Sequence, residues 1–126
     1  MPTVLEPFHS RGFTFACQIV RLYLQITKSP GVPPYIARQL LQAGTSVGAN
    51  YRAVCRARSK REFCSKLGVV VEEADETAFW FELLIEAEIV PPRRLSPLLT
   101  EGNELLAIIA ASLRTARKGP KRVAPQ

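Results

Sequence analysis

Apolar residues recur at three-four spacing in four successive blocks, and the short β-branched runs all sit inside that helical period. Residues 1–9, with two prolines and no period, read as an irregular lead-in. Ser10 is then the expected N-cap of a first helix. Its apolar stripe reads Phe13, Ala16, Cys17, Val20, Tyr23, Leu24 and Thr27. Ser29-Pro30-Gly31 stops it, because proline and glycine continue a helix only at a cost. Pro33-Pro34 opens a second helix, where a missing N–H forfeits nothing. Ile36, Leu40, Ala43, Val47, Tyr51 and Val54 form its stripe. Gly44 and Gly48 each cost about 1 kcal/mol against alanine inside a helix. Their spacing points to close approach by a neighbouring helix, with a kink as the competing reading. Asn50, beside the stripe, reads as a buried polar group or a ligand-binding one.

Ser59-Lys60-Arg61-Glu62 has the form of a capping box, so the second helix should end near Ala57 and the third begin at Lys60. A connection of about two residues makes the pair antiparallel neighbours. The third helix buries Phe63, Leu67, Val70, Ala74, Thr77, Phe81 and Leu84, widened by Val71, Ala78 and Ile85, and runs to Glu88. Trp80 falls off the centre of that stripe, either as an interface anchor or as the edge of a broad core. Pro91-Pro92 ends the helix. Ser96-Pro97 signals a fourth, although its first turn could begin at Arg93, and Leu98, Leu99, Leu105, Leu106, Ile108, Ile109 and Leu113 give it a core face. From Gly119 the chain is a basic, proline-broken tail. The expected fold is all-α: an up-down-up-down antiparallel four-helix bundle over residues 10–118, between a lead-in (1–9) and a flexible basic tail (119–126).

Charge changes the picture. The 126 residues carry a net charge of +6, which favours a polyanionic partner. Arg52, Arg56, Arg58, Lys60, Arg61 and Lys66 crowd the corner between the second and third helices, opposed only by Glu62. Up-down topology brings Arg114, Arg117, Lys118, Lys121 and Arg122 to the same pole, with Arg11 at the start of the first helix. Phosphate backbones suit such a cluster. No zinc finger, RNA-recognition signature or short recognition helix accompanies it, so sequence reading is not expected. The alternatives are arginines that cap helix C-termini or that meet acidic surfaces of neighbouring subunits. The third helix is the electrical opposite: Glu72, Glu73, Asp75, Glu76, Glu82, Glu86 and Glu88 follow one another with no base between them.

Catalytic and metal chemistry do not assemble. His9 is the one histidine, and the first two helices, read from Ser10, carry no carboxylate to complete a di-iron set with Glu73 and Glu76. Cys17, Cys55 and Cys64 lack zinc spacing and read as reduced core thiols in a cytoplasmic protein. Neither an enzyme nor a cofactor is expected. No signal peptide is visible, and no segment reads as a membrane span or a membrane partner.

Taken together, Leu40 to Tyr51, Ala57 to Phe63, Glu72 to Thr77 with Trp80 and Glu82-Leu83-Leu84, Asn103-Glu104-Leu105 and Ala111 to Arg117 resemble the bacterial four-helix bundle family that includes the proteins encoded in intervening sequences of 23S rRNA genes. The resemblance covers residues 10–118. It implies a non-enzymatic bundle assembling as a ring-like homopentamer. The family is also similar to the accessory protein of diversity-generating retroelements, a basic pentamer that binds nucleic acid and partners a reverse transcriptase. In such a ring Trp80, the small residues of the second helix, and Glu72 and Glu76 would meet neighbouring subunits. RNA or DNA would meet Arg52, Arg56, Arg58, Lys60, Arg61, Arg114, Arg117 and Lys118, which are chosen from charge and topology.

Overall fold

A computed structural model describes residues 5–118, with side chains from Phe8 onward. The expected tail at 119–126, with Lys121 and Arg122, lies outside the described residues. Four helices follow one another: α1 (Leu5–Ile26), α2 (Pro34–Val54), α3 (Lys60–Glu86) and α4 (Pro92–Lys118). Each packs on the next in the chain, and α1 closes the bundle against part of α4. The backbones of the diagonal pairs α1/α3 and α2/α4 stand farther apart, and side chains of all four helices fill one core between them.

The stripes predicted for α2 and α3 are the ones that pack. Leu40, Ala43, Val47, Tyr51 and Val54 are buried, as are Leu67, Val70, Ala74, Thr77, Phe81 and Leu84. Thr77 satisfies its hydroxyl by donating to the Glu73 carbonyl at 2.7 Å. The α4 stripe contributes Leu105, Ile109 and Leu113, to which the structure adds Leu95 and Gly102.

Helix α1 departs from its reading in two ways. It begins at Leu5, so much of the expected lead-in is helical and Ser10 lies inside the helix. Pro7 is compatible with this start, since the first-turn N–H groups have no partner in the helix anyway. Its core face is also the other one. Phe8, Gly12, Phe15, Ile19, Leu22 and Ile26 face inward at strict four-three spacing, while Phe13, Val20 and Leu24 are 57%, 40% and 56% exposed. Two apolar stripes fit the same period on this helix. The one with the larger side chains fills the core, and starting at Leu5 adds Phe8, whose ring centre lies 4.2 Å from that of Tyr51.

The α2 glycines serve this packing. A Cβ on Gly44 would lie 2.7 Å from Ile19 Cγ1, and one on Gly48 2.9 Å from the Gly12 carbonyl oxygen. The closely approaching neighbour is therefore α1 of the same chain.

Boundaries shift by a few residues. Helix α2 ends at Val54, and residues 55–59 make the corner. Ser59 caps α3 as expected, its Oγ accepting from the Glu62 N–H at 3.0 Å. Helix α3 closes in a Schellman motif: Ile89 N–H donates to the Leu84 carbonyl at 3.0 Å and Glu88 N–H to that of Ile85 at 3.0 Å. Glu88 occupies the left-handed position at φ 57°. Helix α4 starts at Pro92, so Ser96 is not its cap; the Ser96 hydroxyl instead donates to the Pro92 carbonyl at 2.7 Å. The cysteines are free; Cys55 is exposed rather than in the core, Cys17 is half-buried, and Cys64, also half-buried, packs against the core. Asn50 is half-buried.

Candidate nucleic-acid interface at one pole

The α2–α3 corner is built by two local signals. Helix α2 runs out at Val54, and the Ser59 cap restarts the chain at Lys60. The five residues between them carry Arg56 and Arg58, flanked by Arg52 on the last turn of α2 and by Lys60 and Arg61 on the first turn of α3. In an up-down bundle the far end of α4 reaches the same pole, with Arg114, Arg117 and Lys118 in its final turns.

Two bases expected at this pole are neutralised within the fold. Arg11 makes a forked pair with Glu101, Nε at 3.1 Å and Nη2 at 2.7 Å, with Glu104 3.6 Å away. Lys66 lies 3.7 Å from Glu62 one turn earlier. Arg52, Arg56, Arg58, Lys60, Arg61, Arg114, Arg117 and Lys118 are all exposed, and no ion pair within 4.0 Å engages any of them among the described residues.

The helix dipoles separate six of these eight into two groups. Arg52, Arg117 and Lys118 occupy last turns, where a cation complements the negative end of the helix. Capping accounts for them. Lys60 and Arg61 occupy the first turn of α3, with Arg58 just before it. There the dipole end is positive and cations are disfavoured. Only Glu62 offsets them, and it already holds Lys66. An external polyanion would relieve that concentration of charge.

The residues expected at a subunit interface lie elsewhere. Trp80 is half-buried on the seam of α2 and α3, edge-on to Phe79 (ring centres 4.9 Å apart) and to Tyr35 (6.3 Å). Its Nε1 is shielded from solvent without a hydrogen-bond partner among the described residues. Glu72 and Glu76 are exposed one turn apart on α3, and no base of the described chain pairs with them. Between them, burial and then the Glu76 and Glu72 charges push the Glu73 carboxyl above its ordinary range. Sequence reading missed Val69, Phe79 and Tyr35, which are exposed around this acidic face. The signal for the first two was present: Val69, Glu72, Glu76 and Phe79 share one side of a helix.

Among the described residues no group of three or more His, Cys, Asp or Glu side chains is arranged to hold a metal ion. No helix there is long and apolar enough to cross a membrane.

A family model described as 23S rRNA-intervening sequence protein matches residues 8–111. Arg114, Arg117 and Lys118 lie beyond that match. Among solved structures, a crystal structure from Bacteroides thetaiotaomicron VPI-5482, described as a protein of unknown function from the S23 ribosomal protein family, is 28% identical. It superposes with a TM-score of 0.83 over 90% of this chain and all of that one. No curated protein matches the chain.

Proposed function

We propose that this chain, which belongs to the 23S rRNA-intervening sequence protein family, acts as a non-catalytic oligomer that binds RNA or DNA backbones with little regard to sequence. The observation that carries this reading is the set of unpaired, exposed cations at one pole. Arg58, Lys60 and Arg61 matter most, because helix capping does not account for them. Phosphates bound there would replace condensed counterions, and the salt dependence would reflect how many are released. A ring-like homopentamer repeats the pole five times and raises avidity without any new kind of contact. The similarity to the accessory protein of diversity-generating retroelements adds a reverse transcriptase as a further partner. A reverse-transcriptase gene with a template repeat beside this one would support that extension, and a position inside an rRNA gene would argue against it.

The test is a salt titration of binding to structured RNA and to duplex DNA of equal length. The expected result is a steep linear fall of log K with log salt. Arg58→Ala with Arg61→Ala should flatten the slope by about two on duplex DNA, since each phosphate contact contributes about 0.9, and by the same amount for every sequence. Binding that is insensitive to salt overturns the reading. Absence of nucleic-acid binding, with capture of an acidic protein that survives nuclease treatment, would assign the pole to a protein partner.

A further inference from the structure

Helices α1 and α4 are fastened together at one level and stand open beyond it. The forked pair of Arg11 with Glu101 ties them. Next to it Phe15 lies against Gly102, where a Cβ would be 3.3 Å from its Cζ. Towards the pole opposite the basic corner a groove of about 400 Å³ separates the two helices, a volume in the range of small-molecule sites. A second groove, of about 200 Å³ between α1 and α2 beside Phe13, offers Arg52 alone among arginines, and the end of α2 already accounts for that cation.

Helical spacing builds the walls of the larger groove. Gln18, Arg21 and Gln25 recur at three-four spacing on α1, and Arg94, Leu98 and Glu101 do so on α4. The two helices run in opposite directions. Counted from the Arg11–Glu101 tie, Arg21 therefore stands level with Arg94 in the first turn of α4. Leu22, 4% exposed, forms the floor.

Two guanidinium groups thus share a groove whose one lining carboxylate, Glu101, is already held by Arg11. Neither has an ion-pair partner among the described residues. The dipoles do not account for them. Arg21 lies ahead of the last turn of α1, and Arg94 stands at the positive end of α4. An anion between them would offset both charges, and the forked donors of arginine match phosphate oxygens. The remaining lining asks for more than an ion. Leu22 and Leu98 are apolar, and the Gln18 and Gln25 amides each present a donor and an acceptor. A flat heterocycle, apolar on its face and polar at its edge, matches that lining.

We infer that the α1–α4 groove binds a phosphomonoester of mononucleotide size, free or at the 5′ end of a chain. The phosphate lies between Arg21 and Arg94, and the base lies over Leu22 and Leu98 beside the two glutamines. The site is apart from the basic pole and from Trp80, Glu72 and Glu76, so it does not depend on the proposed function.

The test is isothermal titration calorimetry of the full chain with adenosine and guanosine 5′-monophosphates and, separately, with inorganic phosphate. A mononucleotide is expected to bind, and more tightly than inorganic phosphate by about tenfold or more, because its base buries apolar surface. Arg21→Gln and Arg94→Gln should each weaken it by about tenfold or more, the size of a lost hydrogen bond to a charged group. Gln18→Glu, which adds a carboxylate to the groove, should weaken it too. All three positions are exposed, and circular dichroism checks that the helices are retained. Arg58→Ala with Arg61→Ala should leave the affinity unchanged, and Arg21→Gln should leave the salt slope for duplex DNA unchanged. On the Arg58→Ala, Arg61→Ala variant, a 5′-phosphorylated tetranucleotide that binds as tightly as the mononucleotide makes the ligand the end of a nucleic acid; one that binds far more weakly makes it a free nucleotide. Failure of both mononucleotides to bind at millimolar concentration overturns the inference and leaves the pole reading standing. Binding that survives Arg21→Gln and Arg94→Gln, or that Arg58→Ala with Arg61→Ala abolishes, overturns it as well, since the phosphate then sits elsewhere. Inorganic phosphate bound as tightly as the mononucleotides also overturns it, because the groove then holds an anion alone.

Discussion

Phe13 and Phe15 are the same residue type, two positions apart on one helix, and they live in different environments. Phe15 is 1% exposed and packs where Gly102 of α4 makes room; Phe13 is 57% exposed beside the α1–α2 groove. The inner stripe to which Phe15 belongs holds Phe8, Ile19, Leu22 and Ile26, and the outer stripe holds Phe13, Val20 and Leu24. A helix that is apolar on two sides ordinarily has something on both. One partner of α1 is its own bundle. No described residue of the chain covers the other side.

Substitution should separate the two faces by stability. Phe15→Ala is expected to lower the unfolding free energy by about 3–5 kcal/mol, the usual range for an emptied aromatic site in a core. Phe13→Ala should leave the part of stability that does not depend on protein concentration within about 0.5 kcal/mol, as for a surface change. Urea unfolding at several concentrations reads both. Equal losses from the two would mean that α1 is not seated as described.

The contact that fixes which stripe faces inward can be broken next. Alanine at Gly44 would gain about 1 kcal/mol of helix propensity. Its Cβ would also meet Ile19 at 2.7 Å, and overpacking a core costs about 1–3 kcal/mol. Ile19 is fully buried and branched at Cβ, with little freedom to retreat. Gly44→Ala is therefore expected to lower the urea midpoint. A raised midpoint would show that α1 and α2 pack more loosely than this.

Helix α3 offers the contrast to α1 at its end. Glu88 holds a left-handed conformation in the Schellman turn at φ 57°, which costs a residue with a Cβ about 1–2 kcal/mol. Glu88→Gly should raise the melting temperature by a few degrees, with roughly 1 kcal/mol remaining after the added freedom of the unfolded glycine.

The smallest effect belongs to pH. Burial, Glu76 and Glu72 raise the Glu73 carboxyl in the folded chain. A raised carboxyl favours the folded state at low pH, and that contribution disappears as pH rises through the folded value. Glu73→Gln should consequently be more stable than wild type at neutral pH and converge with it in acid. If a neighbouring copy brings a base to this face, the difference at neutral pH should shrink as the protein associates.

The bundle was legible because its signals are local. A stripe at three-four spacing, a Ser59 cap with Glu62 three residues on, and prolines at Pro33-Pro34 and Pro91-Pro92 each act within a turn or two of the chain. The basic corner was legible for the same reason, since Arg52 to Arg61 are neighbours in sequence. The start of α1 was harder to read, because Pro7 looks like a breaker unless it falls in a first turn. Of the two neutralised bases, Lys66 stands one turn from Glu62 and only Arg11 was invisible: Arg11 and Glu101 stand ninety residues apart, and nothing in either segment announces the other.

Period alone established that α1 is a helix with an apolar stripe, and the order of charged residues that the α2–α3 corner is basic and the rest of α3 acidic. Tertiary structure decided which side of α1 is core. The choice depends on Phe8 reaching Tyr51, on Ile19 fitting over Gly44, and on Phe15 over Gly102. Those contacts join segments distant in sequence, and close packing, unlike helical periodicity, is settled only when the partners are in place.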